Sequence, residues 1–287
     1  MKLTRKKLLE TLRRKNDGWT TYQVRKIAGI SIRRVNQVYT EYLATGQIPQ
    51  IGKKNGRPAK PISEEEVATV KEAYEKYRVS AASLRKLIDR DNGIRINHNR
   101  IHRILLQLGY AKPLKKQHIR KKKWKRYERR HSLTAVHIDW HFDGKKRQWI
   151  FAVIDDASRK ILALLEGGRA TTQRSIEGME LALRHGKIKQ CISDHGAQFI
   201  HNLGGKSKFK AFLKQQGVKH ILCKIKHPQS NGKIEKWFQI YKRHRQAFET
   251  KEEFLTWYNE VRPHLSLRFE ELETPQLAFL RKMKAEA

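Results

Sequence analysis

Asp139, Asp194 and Glu235 are the acids of this chain whose settings suit chemistry. Asp139 lies in the alternating stretch AVHIDWHF, Asp194 follows the apolar QCIS, and Glu235 sits in HPQSNGKIEKWFQIYKRHR. Carboxylates brought together repel one another and resist ionising unless a divalent cation neutralises them. Mg²⁺ takes oxygen ligands, keeps several waters, and binds through a few carboxylates plus substrate phosphates. A pair of such ions, about 3.5 to 4 Å apart, activates an attacking hydroxyl and stabilises the leaving oxygen of an in-line displacement at phosphorus. Three acids from three elements meeting at one point would make such a site, with Mg²⁺ or Mn²⁺, two ions per site, as cofactor.

Neighbouring groups read as structural. Asp155 and Asp156, in VIDDASRK, fit a hairpin turn in which Asp156 caps the chain and Arg159 pairs with it. His137 and His141 flank Asp139, but a hard cation prefers oxygen, so they read as packing residues. Cys191 and Cys223 lie in apolar stretches with neither disulfide nor zinc spacing. His98 and His102 stand four apart with no cysteine or carboxylate nearby to complete a zinc site.

The elements that must position the acids begin at Leu133. AVHIDWHF places Val136, Ile138, Trp140 and Phe142 on one face and His137, Asp139 and His141 on the other; QWIFAVID and KILALLE follow as apolar strands, with GKKR and DASR as turns. Three strands so joined make a meander. A helix over 172–184, the strand QCIS, a further helix and a short strand in VKHILC complete an α/β three-layer domain. In the last helix Ser230 is the candidate cap, Ile234, Phe238 and Tyr241 form the buried stripe, and Glu235 lies beside it.

Charge points to the partner. The 287 residues, enough for about two domains, carry 63 Lys and Arg against 28 Asp and Glu, a net +35. That excess concentrates polyanions and binds phosphate backbones. Residues 1–130 hold 35 of the bases and 11 of the acids. No apolar run is long enough for a membrane span, and no signal-peptide pattern opens the chain, so a cytoplasmic location, nucleoid-associated when on DNA, is expected.

The front half reads as helical DNA-binding units. Leu8, Leu9 and Leu12 repeat at helical spacing; TTYQVRKIAG begins with a capping box, Thr20 to Gln23, and stops at Gly29; SIRRVNQVYTEYLATG starts at Ser31 and stops at Gly46. This suits a helix-turn-helix over 1–50, with Arg33, Arg34 and Gln37 as base readers, or a plain three-helix module. Residues 51–62 form a basic linker whose Gly56-Arg57-Pro58 is similar to an AT-hook, with Arg57 for the minor groove. Residues 63–110 hold a second helix-turn-helix candidate, with a capping box from Ser63 to Glu66 and His98, Asn99, Arg100 and Arg103 facing outward. The connector 111–131 carries Lys121, Lys122 and Lys123 between aromatic residues, as a DNA contact or a solvated helix face.

The later motifs resemble the DDE transposases and retroviral-type integrases. The matching pieces are VHIDWHF, VIDDASRKIL, CISDHGAQF, HPQSNGKIEKWF, YNEVRPHLSL and TPQLAF, in the family's order. The resemblance implies a ribonuclease H-like α/β catalytic core over 132–248, a helical extension over 249–287, and all-α DNA-binding domains in front. It implies a transposase that binds the terminal inverted repeats of an element as double-stranded DNA, frees a 3′-hydroxyl and joins it to target DNA. Asp139 and Asp194 would then hold the ions, with Glu235 on the second, and the working form would be at least a dimer on DNA. Asn231, Lys233 and Lys236 would contact phosphates or terminal bases, or serve as cap and surface charge. Two departures stand out. Forty residues separate Asp194 from Glu235, more than the family's usual interval, and His195 replaces the common Asn. A nuclease without strand transfer, with Glu177 as a fourth acid, and a domesticated DNA-binding regulator are the alternatives.

Overall fold

The alternation in AVHIDWHF is realised as β1, Val136–Asp143, with Val136, Ile138 and Trp140 buried. In the computed structural model, residues 3–52, 60–113, 128–200, 207–223 and 231–283 are described. They fall in two units, Met1–Pro61 and Ile62–Ala287.

The first unit is three helices: α1, Arg5–Asn16, α2, Thr21–Ala28, and α3, Ile32–Thr45. The capping box forms as the spacing predicts, with the Gln23 amide donating to Thr20 Oγ1 (3.3 Å) and the Thr20 amide to Gln23 Oε1 (2.9 Å). Gly29 ends α2 at a φ of +63°, in the left-handed region where a Cβ is penalised. Val24, Ala28, Ile30 and Val35 form one small apolar cluster, and Leu8, Leu12 and Val38 another.

The second unit is built on a five-stranded sheet. Its other strands are β2, Gln148–Asp155, β3, Ile161–Glu166, β4, Gln190–Ser193, and β5, Lys219–Leu222, in the order β3-β2-β1-β4-β5. The first three strands form an antiparallel meander, while β4 and β5 add in parallel, β4 to β1. Parallel pairing needs crossovers. These run through α7, Thr172–Leu183, and α8, Lys208–Gln215, which share an apolar cluster with Ile138, Trp140, Phe151 and Val153 on one face of the sheet.

The other face, carrying Ile150, Ala152 and Ile154, is covered by α9, Gly232–His244, through Ile234, Trp237, Phe238 and Tyr241. The same cluster takes in α4, Glu64–Tyr77, α5, Ala81–Asn92, and α6, His98–Gln107, with Val70, Leu84, Leu87 and Ile101. The tail contributes α10, Lys251–Thr256, continued by a π-helical turn, Trp257–Val261, and α11, Pro275–Arg281. Asn259 ends the sheet at β3: its side chain accepts from the Ile161 amide (2.9 Å) and donates to the Ile161 carbonyl (3.1 Å). Among the described residues no helix is long and apolar enough to cross a membrane.

Helix α7 lies close to the sheet because Gly178 faces Phe151. A Cβ at Gly178 would sit 2.3 Å from Phe151 Cε1 and 2.4 Å from Cδ1, and that ring is fully buried. Gly178→Ala is therefore expected to cost about 1–3 kcal/mol through overpacking. Urea unfolding should read this as a lower midpoint with an unchanged m-value.

Candidate active site

Register brings the first two acids together. In the parallel pair, His137 of β1 stands opposite Ile192 of β4. Two residues further along stand Asp139, within β1, and Asp194, directly after the last residue of β4, and the two-residue repeat carries each towards the face of its predecessor. That face is the α9 side, since Trp140, on the opposite one, donates its indole N–H to Ser175 Oγ of α7 (2.9 Å). Helix α9 delivers Glu235, exposed in its first turn. The sheet edge and the N-terminus of one helix thus supply three acids from three elements.

Their fields overlap. Burial, then Asp194, with Glu235 adding to it, raises the Asp139 carboxyl to about 7, against the hydrogen bond from the Trp140 amide. At Cys223, just past β5, burial followed by Asp194, Asp139 and Glu235 pushes the thiol up to about 11. Asp194 Oδ1 accepts from the Gly196 amide (2.9 Å), which fixes its carboxylate at the strand tip. His195 donates from Nε2 to the Cys223 carbonyl (2.8 Å), so the residue that departs from the family pattern ties the β4 loop to the end of β5.

Asn231 completes this corner. It is buried, donates from Nδ2 to Asp139 Oδ2 (3.2 Å), and leaves Oδ1 buried without a hydrogen-bond partner among the described residues. An orphaned carbonyl oxygen beside three carboxylates is an all-oxygen donor set, the chemistry that suits Mg²⁺ or Mn²⁺. As they stand, no three His, Cys, Asp or Glu groups among the described residues lie close enough to hold a metal by themselves. Mg²⁺ does not require such a cage, because it completes its shell with water and substrate phosphate. The acids fit that manner of binding.

Behind the acids lies a buried ionic cluster that the spacing of VIDDASRK did not disclose. Asp156 is fully buried and accepts from His137 Nε2 (2.8 Å), from the Arg129 amide (2.7 Å) and from Lys233 Nζ. Burial opposes its ionisation, yet the His137 hydrogen bond and the Lys233 ammonium hold its carboxyl well below the usual range. The turn itself is capped by Asp155, which accepts from the Ser158 and Leu133 amides (both 2.8 Å), and Arg159 pairs with Glu128 (3.1 Å). The expected roles of Asp156 and Arg159 are thus corrected: a deeper acceptor was available to the chain as a whole, and the nearer aspartate took the turn.

The expected DNA contacts separate into free and committed side chains. Arg33 and Gln37 are exposed on α3, with Arg34 Nη1 donating to Gln37 Oε1 (2.7 Å). His98, Asn99 and Arg103 are exposed on α6. Arg100 instead donates to Glu66 (2.6 Å), whose carboxyl it brings down to about 2. Lys236 is exposed and donates to Gln239 (3.0 Å), whereas Lys233 is held by Asp156 and Asn231 by Asp139. Arg57, Lys121, Lys122, Lys123 and Ser230 lie outside the described residues. Glu177 is exposed on α7, the helix over the opposite face of the sheet from Asp139.

Residues 129–228 match the integrase core domain family. An ORF3 protein of Spiroplasma virus SpV1-C74, whose name marks it as a candidate integrase, is 27% identical over 153 residues, 45% of this chain and 42% of that protein. The chain therefore spans less than half the length of that relative. The catalytic core domain of BIV integrase aligns at a TM-score of 0.41 and 16% identity, over 52% of this chain and 95% of that one.

Proposed function

We propose that this chain, whose residues 129–228 match the integrase core domain family, is a DDE-type transposase that cuts the ends of a DNA element and joins the freed 3′-hydroxyls to target DNA. The observation that carries the reading is the overlap of Asp139, Asp194 and Glu235 at one end of a mixed sheet, beside the orphaned Asn231 oxygen. The sheet order, a meander with two parallel strands added, is consistent with a ribonuclease H-like core.

Asp139, Asp194 and Glu235 would hold two Mg²⁺ or Mn²⁺ ions, which when bound supply activation of the attacking oxygen and stabilisation of the leaving one. Asn231 orients Asp139 through the hydrogen bond to its Oδ2. Asp194 is presented by the Gly196 amide at the strand tip, and Glu235 stands at the helix mouth, where solvent and a phosphodiester can reach it. Displacement in line at phosphorus needs no covalent protein intermediate, so one constellation serves water in cleavage and a 3′-hydroxyl in joining. Helices α2 and α3 would read an element end through Arg33, Arg34 and Gln37, with His98, Asn99 and Arg103 of α6 as a second reader. Pairing two ends calls for at least a dimer, in the cytoplasm, on DNA.

A nuclease without strand transfer would gain from a fourth acid, for which Glu177, exposed on α7, is the candidate. A non-catalytic regulator would have no use for mutually repelling acids gathered at one corner of the sheet. A pre-cut duplex ending in a 3′-hydroxyl, incubated with labelled target plasmid and Mg²⁺, is expected to yield joined products. Nicked plasmid without joining would assign the nuclease, and intact plasmid the regulator.

A further inference from the structure

Three arginines gather at the far end of α9 with no acid to answer them. Arg78 closes α4 at a φ of +49°, with its guanidinium 6.0 Å from the Phe248 ring. Arg262 directly follows the π-helical turn and lies over Trp257 (6.0 Å) and Tyr258 (5.8 Å). Arg243 and His244 belong to the last turn of α9, and the His244 ring stacks at 5.0 Å on Trp257, itself 5.3 Å from Phe248. Helices α4 and α9 and the π-helical turn thus converge on one aromatic floor.

The charges are unpaired. None of the ion pairs among the described residues takes up Arg78, Arg243 or Arg262, and Arg262 Nη1 is buried without a hydrogen-bond partner. Burial, then Arg262, Arg243 and Arg78, brings His244 down to about 4, and burial lowers Arg262, opposed by Tyr258 and aided by Arg243; no carboxylate enters either field. A guanidinium desolvated without a counter-ion is costly, and the rings relieve only part of it through cation–π attraction. An anion brought by a ligand would supply the rest. Planar guanidinium forks suit phosphate.

Position selects the ligand. Glu235 and Arg243 lie eight residues apart on α9, roughly 12 Å along the helix axis and within about a quarter turn of one another. That is about three to four steps of a nucleic-acid strand at 3.4 Å per nucleotide. We propose that Arg78, Arg243 and Arg262, floored by Trp257 and Phe248, clamp the phosphate backbone of DNA flanking the phosphodiester presented to the acids. The clamp rests on the reading of those acids as a DNA-cutting site. It grips without reading bases, so it holds the strand whatever its sequence.

The full chain is titrated with a fluorescent duplex over a salt series, without divalent metal, beside the R78Q/R243Q variant, with R262M as a second variant. Each lost phosphate contact should lower the slope of log K against log salt by about 0.9, which near 0.15 M salt is about a five-fold loss of affinity. R78Q/R243Q removes exposed or half-exposed side chains, so its circular dichroism should match the parent, with affinity down about thirty-fold. An unchanged slope and affinity in the folded double variant overturn the clamp. Inorganic phosphate alone is tested by melting temperature. If it stabilises the parent and not the variant while the DNA slope stays put, the pocket holds a small anion and the DNA assignment falls. A clamp that behaves as expected in a parent that cannot join strands would sink the proposed reaction alone, and intact joining with an unchanged slope the clamp alone.

Discussion

Exchanging Glu235 for Gln will abolish Mg²⁺-dependent strand joining while leaving the affinity for duplex DNA within about two-fold. The side chain keeps its length and its exposed place in the first turn of α9 but loses the charge that a cation needs. Removing an ion's ligand forfeits several kcal/mol of transition-state stabilisation. At about 1.4 kcal/mol per decade, a loss of about 4 kcal/mol is three orders of magnitude in rate. Asp139→Asn should match it, and EDTA should silence the parent to the same floor. Product formation on labelled target plasmid measures the rate, and fluorescence anisotropy the binding. Joining by Glu235→Gln at a tenth of the parent's rate or better would remove this residue from the chemistry.

The second large effect is on stability. Asp156→Ala removes the shared acceptor of the buried His137 ring and the largely buried Lys233 ammonium. Breaking a buried pair by deleting one partner costs about 3–5 kcal/mol, a large share of the roughly 5–15 kcal/mol that keeps a typical domain folded. Burial, with Arg159 nearby, brings the Lys233 ammonium down to about 8 against the pull of Asp156, so at neutral pH the lysine is charged and needs its partner. Asp156→Ala with Lys233→Met should recover part of the loss, as expected for groups that share one interaction. Urea midpoints measure both.

The pH dependence of this cluster has a definite sign. The folded-state carboxyl of Asp156 titrates below its unfolded value, so its contribution is complete above the unfolded carboxylate pKa of about 3.9 and is lost as acid carries the pH below that. The parent should therefore lose stability below about pH 4 more steeply than the Asp156→Ala variant. Equal acid slopes would mean that Asp156 is not held ionised. The cluster also bears on the reaction. Lys233 lies two residues from both Asn231 and Glu235, so its bond to Asp156 anchors the helix mouth to the β2–β3 turn.

Much of this architecture is written locally. The two-residue repeat of AVHIDWHF put Asp139 on one face and Trp140 on the other, and the three-strand meander, the capping box at Thr20 and the helix stop at Gly29 each follow from a few adjacent residues. The placement of Asp139 within a strand, of Asp194 just past one and of Glu235 in the first turn of a helix was legible for a similar reason. The roles of Asp155 and Asp156 were not. Adjacent in sequence, they point into different surroundings, and nothing within the turn says which one meets His137 and Lys233.

By itself the sequence determined the elements, the acids they carry and the polyanion that a charge of +35 must attract, because periodicity, capping and net charge are properties of neighbours or of simple sums. Which cations are free to touch that polyanion was decided by tertiary structure alone. Arg100 is taken by Glu66, 34 residues away, Lys233 by Asp156, 77 residues away, and Arg78, Arg243 and Arg262 are left over on an aromatic floor. The physical reason is range. A helix or strand is specified within a turn or two of itself, whereas the partner of a charge is whichever group the packed chain brings within a few ångströms.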